Sequence, residues 1–164
     1  MQGYTSPYFG VTGMKMLREG MAAAEVLESV LAEDPIRQSR QILALDSAGH
    51  TAVFTGNALP GYAGAVESDR YAVGGVGLAG DSVLSKCGKI FEATQGQLAD
   101  RLLAAISSAA TGQGFADAVS AVLRISKDQP YPCLDLRIDK HDQPVQALAA
   151  LLAKWRENNA DASV

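Results

Sequence analysis

The chain has 164 residues, 48% hydrophobic and 20% charged, with a formal net charge of −4, 16 glycines and two cysteines. That length lies within the ~100–200 residues of one globular domain and can bury about two-thirds of the unfolded surface without a disulfide or metal staple. The acidic balance excludes a non-specific nucleic-acid binder, which needs Lys and Arg to neutralise phosphates. No apolar run approaches the ~18 residues of a membrane span. The stretch Met1–Gly20 has no apolar signal-peptide core, so a cytoplasmic protein without a membrane partner is expected. Cys87 and Cys133 lack metal-ligand spacing, and neither a metal nor a cofactor is expected.

Residues 7–33 read as helical with a break at Gly20: Pro7 suits a first turn, and Met14, Leu17, Met21, Ala24, Leu27, Val30 and Leu31 recur at helical spacing until Pro35 stops the pattern. Gln41–Leu45 and Thr51–Thr55 are strand-like runs around Asp46-Ser47-Ala48-Gly49, where Gly49 can take positive φ, and they predict a hairpin. Tyr62–Val66 and Tyr71–Val73 are short strand candidates around a Glu67–Arg70 turn. After a glycine-rich passage come two helices. The first, capped by Asp81 or Ser82, is striped by Val83, Leu84, Cys87, Ile90 and Phe91, which makes Cys87 a buried thiol. The second, with Thr94 and Gln97 as a capping box, is striped by Leu98, Leu102, Ile106 and Ala109 and stopped by Gly112-Gln113-Gly114. Ala118–Ile125 and Cys133–Ile138 read as strands around a Lys127–Pro130 turn, and a last helix from Pro144 carries Val145, Leu148, Leu152 and Trp155 on one face.

Paired helices and hairpin-like strand pairs differ from the alternation of a parallel doubly wound sheet, so the expected class is α+β with largely antiparallel strands. One domain over residues 1–157 is expected, followed by a polar tail, 158–164.

Gly75-Val76-Gly77-Leu78-Ala79-Gly80 matches G-x-G-x-x-G between a strand and a helix. A dinucleotide site also needs a following strand ending in Asp or Glu, and here a second helix follows. Gly75 and Gly77 therefore read as close packing at a strand-to-helix turn, or as backbone that accepts an anion. His50 reads as a solvated turn residue. His141, in Asp139-Lys140-His141-Asp142, is either a general base oriented by Asp139 or part of a polar helix start with Asp142 near the cap. Asp135, Arg137 and Asp139 share one strand face, either solvated and ion-paired or, through Arg137, ligand-binding. Tyr4, Thr5 and Ser6, in an aromatic and glycine-rich opening, either line a small-molecule pocket or cover a core edge.

Gln2-Gly3-Tyr4-Thr5-Ser6-Pro7-Tyr8-Phe9-Gly10, Phe54-Thr55-Gly56, Tyr62-Ala63-Gly64, Tyr71-Ala72-Val73, Leu78-Ala79-Gly80, Phe91-Glu92-Ala93-Thr94 and Leu134-Asp135-Leu136-Arg137-Ile138-Asp139, followed by His141, come in the order of a bacterial family. The chain resembles domain-of-unknown-function family 1028, which is grouped with the N-terminal-nucleophile (Ntn) hydrolases. The resemblance implies a layered α/β/β/α sandwich of antiparallel sheets and an amide-bond hydrolase, in which the first residue's side chain attacks and its α-amino group is the base. It also implies an opening pair of strands before the equivalent of Gln2, so the sheet is expected to be incomplete at its N-terminus. Family members have a Gln-Gly-Asn-like string where this chain has Gly74-Gly75-Val76, and an Arg-rich one where it has Phe115-Ala116-Asp117-Ala118.

Three readings follow: a piece of a longer Ntn-type hydrolase with the chemistry upstream, an inactive ligand-binding or assembly module using Tyr4, Thr5 and Ser6, or an unrelated α+β hydrolase using His141 and Asp139. The ligand expected is a small amide or peptide-like molecule. An unpaired sheet edge would make the chain a homodimer.

Overall fold

A computed structural model describes residues 2–110, 118–129 and 131–159. Among them the chain forms seven strands and five α-helices, an α+β fold in which all strand pairs are antiparallel. The Gly112-Gln113-Gly114 stop, Phe115–Asp117, Pro130 and the tail beyond Asn159 lie outside the described residues. Contacts group the chain into two compact units, Met1–Ser85 and Lys86–Val164.

In the first unit β1 (Gln2–Gly3) leads into α1 (Pro7–Arg18) and α2 (Ala23–Leu31), then β2 (Arg40–Leu45) and β3 (Thr51–Thr55) form the expected hairpin. The sheet order is β1-β2-β3. The φ of Gly49 is +93°, as its place in the turn requires. Asp46 organises this corner. Its Oδ1 accepts the Ala48 and His50 amides, each at 2.9 Å, and its Oδ2 accepts the Ala23 amide at 3.3 Å, serving a helix whose N-cap, Ala22, has no side-chain acceptor. Strand periodicity then sorts the faces of β2. Ile42 joins Ala23, Leu27, Leu31 and Ala52 in a core under α2, whereas Gln41 points the other way, onto the hairpin of β4 (Tyr62–Ser68) and β5 (Tyr71–Leu78).

The β4–β5 hairpin is longer than the sequence predicts. Its turn is only Asp69-Arg70, and β5 runs through the glycine-rich passage to Leu78. Arg70 takes φ +69°, in the left-handed region and at a turn position that favours glycine. Arg70→Gly should therefore raise unfolding free energy by about 1 kcal/mol, measured by urea titration. Close approach dictates glycine elsewhere: a Cβ on Gly56 would overlap the Gln38 carbonyl.

In the second unit, α4 (Leu98–Ala110) and α5 (Pro144–Asn158) pack on the hairpin of β6 (Ala121–Ser126) and β7 (Pro132–Ile138). The core is Ala99, Leu123, Ile125, Leu134, Leu148 and Leu152, joined by Leu136. Three predicted features are corrected. The predicted stripe of α4 holds in part: Ala109 is buried and Leu102 packs against the core with Leu103, but Leu98 and Ile106 are exposed and the small Ala99 and Ala105 take the remaining buried places. Thr94 does not cap α4. Its hydroxyl donates to the Ile90 carbonyl at 2.7 Å and closes α3 (Asp81–Ala93), and the amides of Asp100 and Arg101 bond the Gln97 carbonyl instead. Strand β6 starts at Ala121, so Ala118–Ser120 precede it rather than belong to it. Cys87 is buried, and among the described residues no helix is long and apolar enough to cross a membrane.

Candidate ligand-binding groove

Between α4 and the β6–β7 hairpin lies a groove of about 620 Å³, with Leu102, Leu103 and Ile106 of α4 on one wall and Val145 and Leu148 of α5 at its base. The strands contribute Arg124 and Arg137 to its lining, and Asp139 follows directly after β7. Apolar walls with a few polar groups are the make-up of small-molecule sites. The strand pattern explains the polar edge: Leu134 and Leu136 face the core, so Asp135 and Arg137 must face out.

Arg137 grips Asp135 in a two-pronged pair, Nε to Oδ1 at 2.8 Å and Nη2 to Oδ2 at 3.0 Å, and Arg124 on the neighbouring strand stands 3.8 Å from the same carboxylate. The Arg137 hydrogen bonds hold the Asp135 carboxyl below its ordinary range, and Asp135 in turn raises Arg137. This pairing fixes the guanidinium plane and leaves Nη1 without a hydrogen bond among the described residues. A rigid donor and the Asp139 carboxylate thus sit two residues apart on one lining. Elsewhere in the unit, Arg156 holds Asp100 at 2.7 and 2.9 Å, fastening α5 to α4.

The other predicted residues are placed elsewhere. His141 is exposed; its Nδ1 accepts the Gln143 amide at 2.9 Å and its own amide bonds the Val119 carbonyl at 2.8 Å. The imidazole thus serves the start of α5, at the place where Asp142 was expected near the cap. Among the described residues no hydrogen bond or ion pair joins His141 to Asp139, or to a hydroxyl or thiol. His50 is solvated, 3.3 Å from Asp46.

Tyr4 and Thr5 are exposed and Ser6 half-buried; the Tyr4 carbonyl accepts from Arg40 and its amide bonds Ser39 at 3.0 Å. None of the three lines the groove or a second, shallower cavity of the first unit beside Phe9 and Arg40. Gly75 and Gly77 do not form a strand-to-helix turn: both lie in β5, Gly75 buried against Leu78 and Gly77 exposed at φ +71°. Their backbone belongs to a strand, not a phosphate loop. Among the described residues no cluster of three or more His, Cys, Asp or Glu gathers as for a metal.

Sequence reasoning missed Gln41 and Arg40. Gln41 is fully buried, with Nε2 donating to the carbonyls of Gly64 at 2.8 Å and Gly75 at 3.3 Å and to Thr55 Oγ1 at 3.1 Å. Two carbonyl acceptors fix which way this amide points. The only available signal was polarity: Arg40-Gln41 opens an otherwise apolar strand.

The fold and the matches together define the class. Residues 1–148 match the family of unknown function DUF1028, and the chain belongs to that family. The crystal structure of protein SPO2555 from Silicibacter pomeroyi, of the same family, is similar with a TM-score of 0.84 and 32% identity, over 94% of this chain and 70% of that one. No curated protein matches.

Proposed function

We propose that this chain binds a small amide or peptide-like molecule in the groove of the second unit, with its apolar part against α4 and an amide at Arg137 and Asp139. The observation that carries this reading is the groove itself, where an apolar wall meets one oriented donor and one acceptor carboxylate. A primary amide presents a carbonyl and an N–H side by side, which suits Arg137 Nη1 and the Asp139 carboxylate. The sequence's resemblance to a family grouped with the Ntn hydrolases, which act on amide bonds, favours the same ligand class. Hydrolysis would require a nucleophile beside a base, and the Nδ1 of His141 is already engaged by Gln143. The reading is therefore of binding rather than turnover by His141 and Asp139.

Ile106 lines the groove and is exposed, so Ile106→Arg tests the site without opening the core. With N-acetyl-leucinamide as the probe, isothermal titration should show saturable binding to the natural chain and at least a tenfold weaker affinity for the variant. Equal affinity in both would remove the groove as the site.

A further inference from the structure

The β6–β7 hairpin gathers charges on one face, and at the Arg124 end they do not balance. In the antiparallel register Arg124 lies opposite Asp135, and Val122 opposite Arg137, so these cross-strand partners share a face. Asp135 answers Arg137 first. Its two oxygens take both prongs of that guanidinium, while Arg124 Nε stands 3.8 Å from Oδ2, the oxygen that already accepts Arg137 Nη2 at 3.0 Å. At that distance Arg124 is an ionic neighbour and not a hydrogen-bond donor. Two guanidiniums thus flank one carboxylate oxygen, with a single negative charge between them.

The Arg124 side chain is 54% exposed and makes no hydrogen bond among the described residues. Of the three groups only the two arginines line the groove, so a molecule lying there meets the positive pair and not the carboxylate that partly neutralises it. The acidic group of the lining, Asp139, lies two residues beyond Arg137, on the side away from Asp135 and Arg124. The polar edge of the groove is therefore positive at one end and negative at the other.

We propose that the groove selects a ligand carrying a carboxylate next to its apolar part, received by Arg124. The proposal rests on the reading above, which puts a primary amide at Arg137 and Asp139 and the apolar part against α4. In a short peptide amide this ligand is an apolar last residue preceded by an acidic one, whose side chain extends past Arg137 to Arg124. A carboxylate accepts charge-assisted bonds from the guanidinium fork. The isosteric amide of asparagine carries no charge and turns an NH₂ donor toward a donor. Discrimination between the two should be about fivefold, the size of an exposed ion pair.

Isothermal titration with N-acetyl-aspartyl-leucinamide and N-acetyl-asparaginyl-leucinamide tests this. The natural chain should prefer the aspartyl probe about fivefold at low salt, and the preference should shrink at high salt. Arg124→Gln should abolish it. Lys154→Gln removes the same charge from an exposed residue outside the lining and should leave the preference in place. Equal affinity of the natural chain for both probes overturns the proposal while the groove stands, and so does a preference that survives Arg124→Gln or vanishes in Lys154→Gln. Binding of neither probe removes the groove as the site, and the proposal with it.

Discussion

Replacing Arg40 by Met should cost about 3 kcal/mol of unfolding free energy, measured by urea titration at pH 7. The Arg40 and Asp34 side chains are 9% and 3% exposed. Arg40 meets both carboxylate oxygens of Asp34, gives its remaining Nη to the Tyr4 carbonyl, and lies 4.7 Å over the Phe9 ring. Methionine keeps the packing on Phe9 but leaves a buried carboxylate and a carbonyl without their donor. Most of the loss is thus the cost of an unpaired charge, and adding Asp34→Asn to Arg40→Met should restore a good part of it.

The pair also has a pH signature. The hydrogen bonds from Arg40 hold the Asp34 carboxyl below its ordinary range, helped by the Ile36 amide and opposed by burial. A depressed folded-state pKa gives stability that is present above the unfolded carboxylate value of about 3.9 and lost as pH falls through the folded value. In Arg40→Met burial, the Ile36 amide and the charge of Arg37 remain, without the largest lowering contribution. The gap between natural chain and variant should be widest near pH 7 and narrow as the pH drops below about 4.

Gln41→Glu should be at least as damaging, also about 3 kcal/mol or more at pH 7. The natural amide donates to two main-chain carbonyls in a fully buried position, while its Oε1 has no hydrogen-bond partner. A carboxylate there would turn a donor into an acceptor facing acceptors. Burial and those carbonyls would raise its folded pKa, so the variant should recover stability as pH falls toward the unfolded glutamate value of about 4.3. Gln41→Leu removes the orphaned Oε1 together with the donor and should cost less, about 2 kcal/mol. A variant order in which Leu is worse than Glu would contradict this account of the amide.

These two residues show where sequence reasoning reached its limit. The β2–β3 hairpin, α2 and α5 were readable because one period dominates each: alternation about a turn whose Gly49 needs positive φ, and Val145, Leu148 and Leu152 at helical spacing. In α4 the same rule placed Leu102 and Ala109 correctly but also Leu98 and Ile106, because periodicity weights large side chains and cannot see that Ala99 and Ala105 pack where helices come close. Of the two readings of the glycine passage, close packing holds, but within strand β5 rather than at a strand-to-helix turn. Gly74 lies against Leu43 and Gln41, and a Cβ there would crowd both, so glycine serves strand packing rather than a phosphate loop. Arg40 and Gln41 were invisible because their partners, Asp34, Tyr4, Gly64 and Gly75, are brought to them only by the fold. Of the candidate residues, Arg137 and Asp139 do share the groove lining. The strand alternation placed them on one face, but nothing in it announced that a helix wall of Leu102, Leu103 and Ile106 stands beside them.

A ¹⁵N–¹H correlation titration with N-acetyl-leucinamide tests the groove as a binding site most directly. Saturable shifts should concentrate in Leu102–Ile106, Ala121–Arg124 and Arg137–Asp139, and should disappear in Ile106→Arg. Shifts confined to Tyr4–Ser6, or no shifts at 10 mM probe, would contradict it.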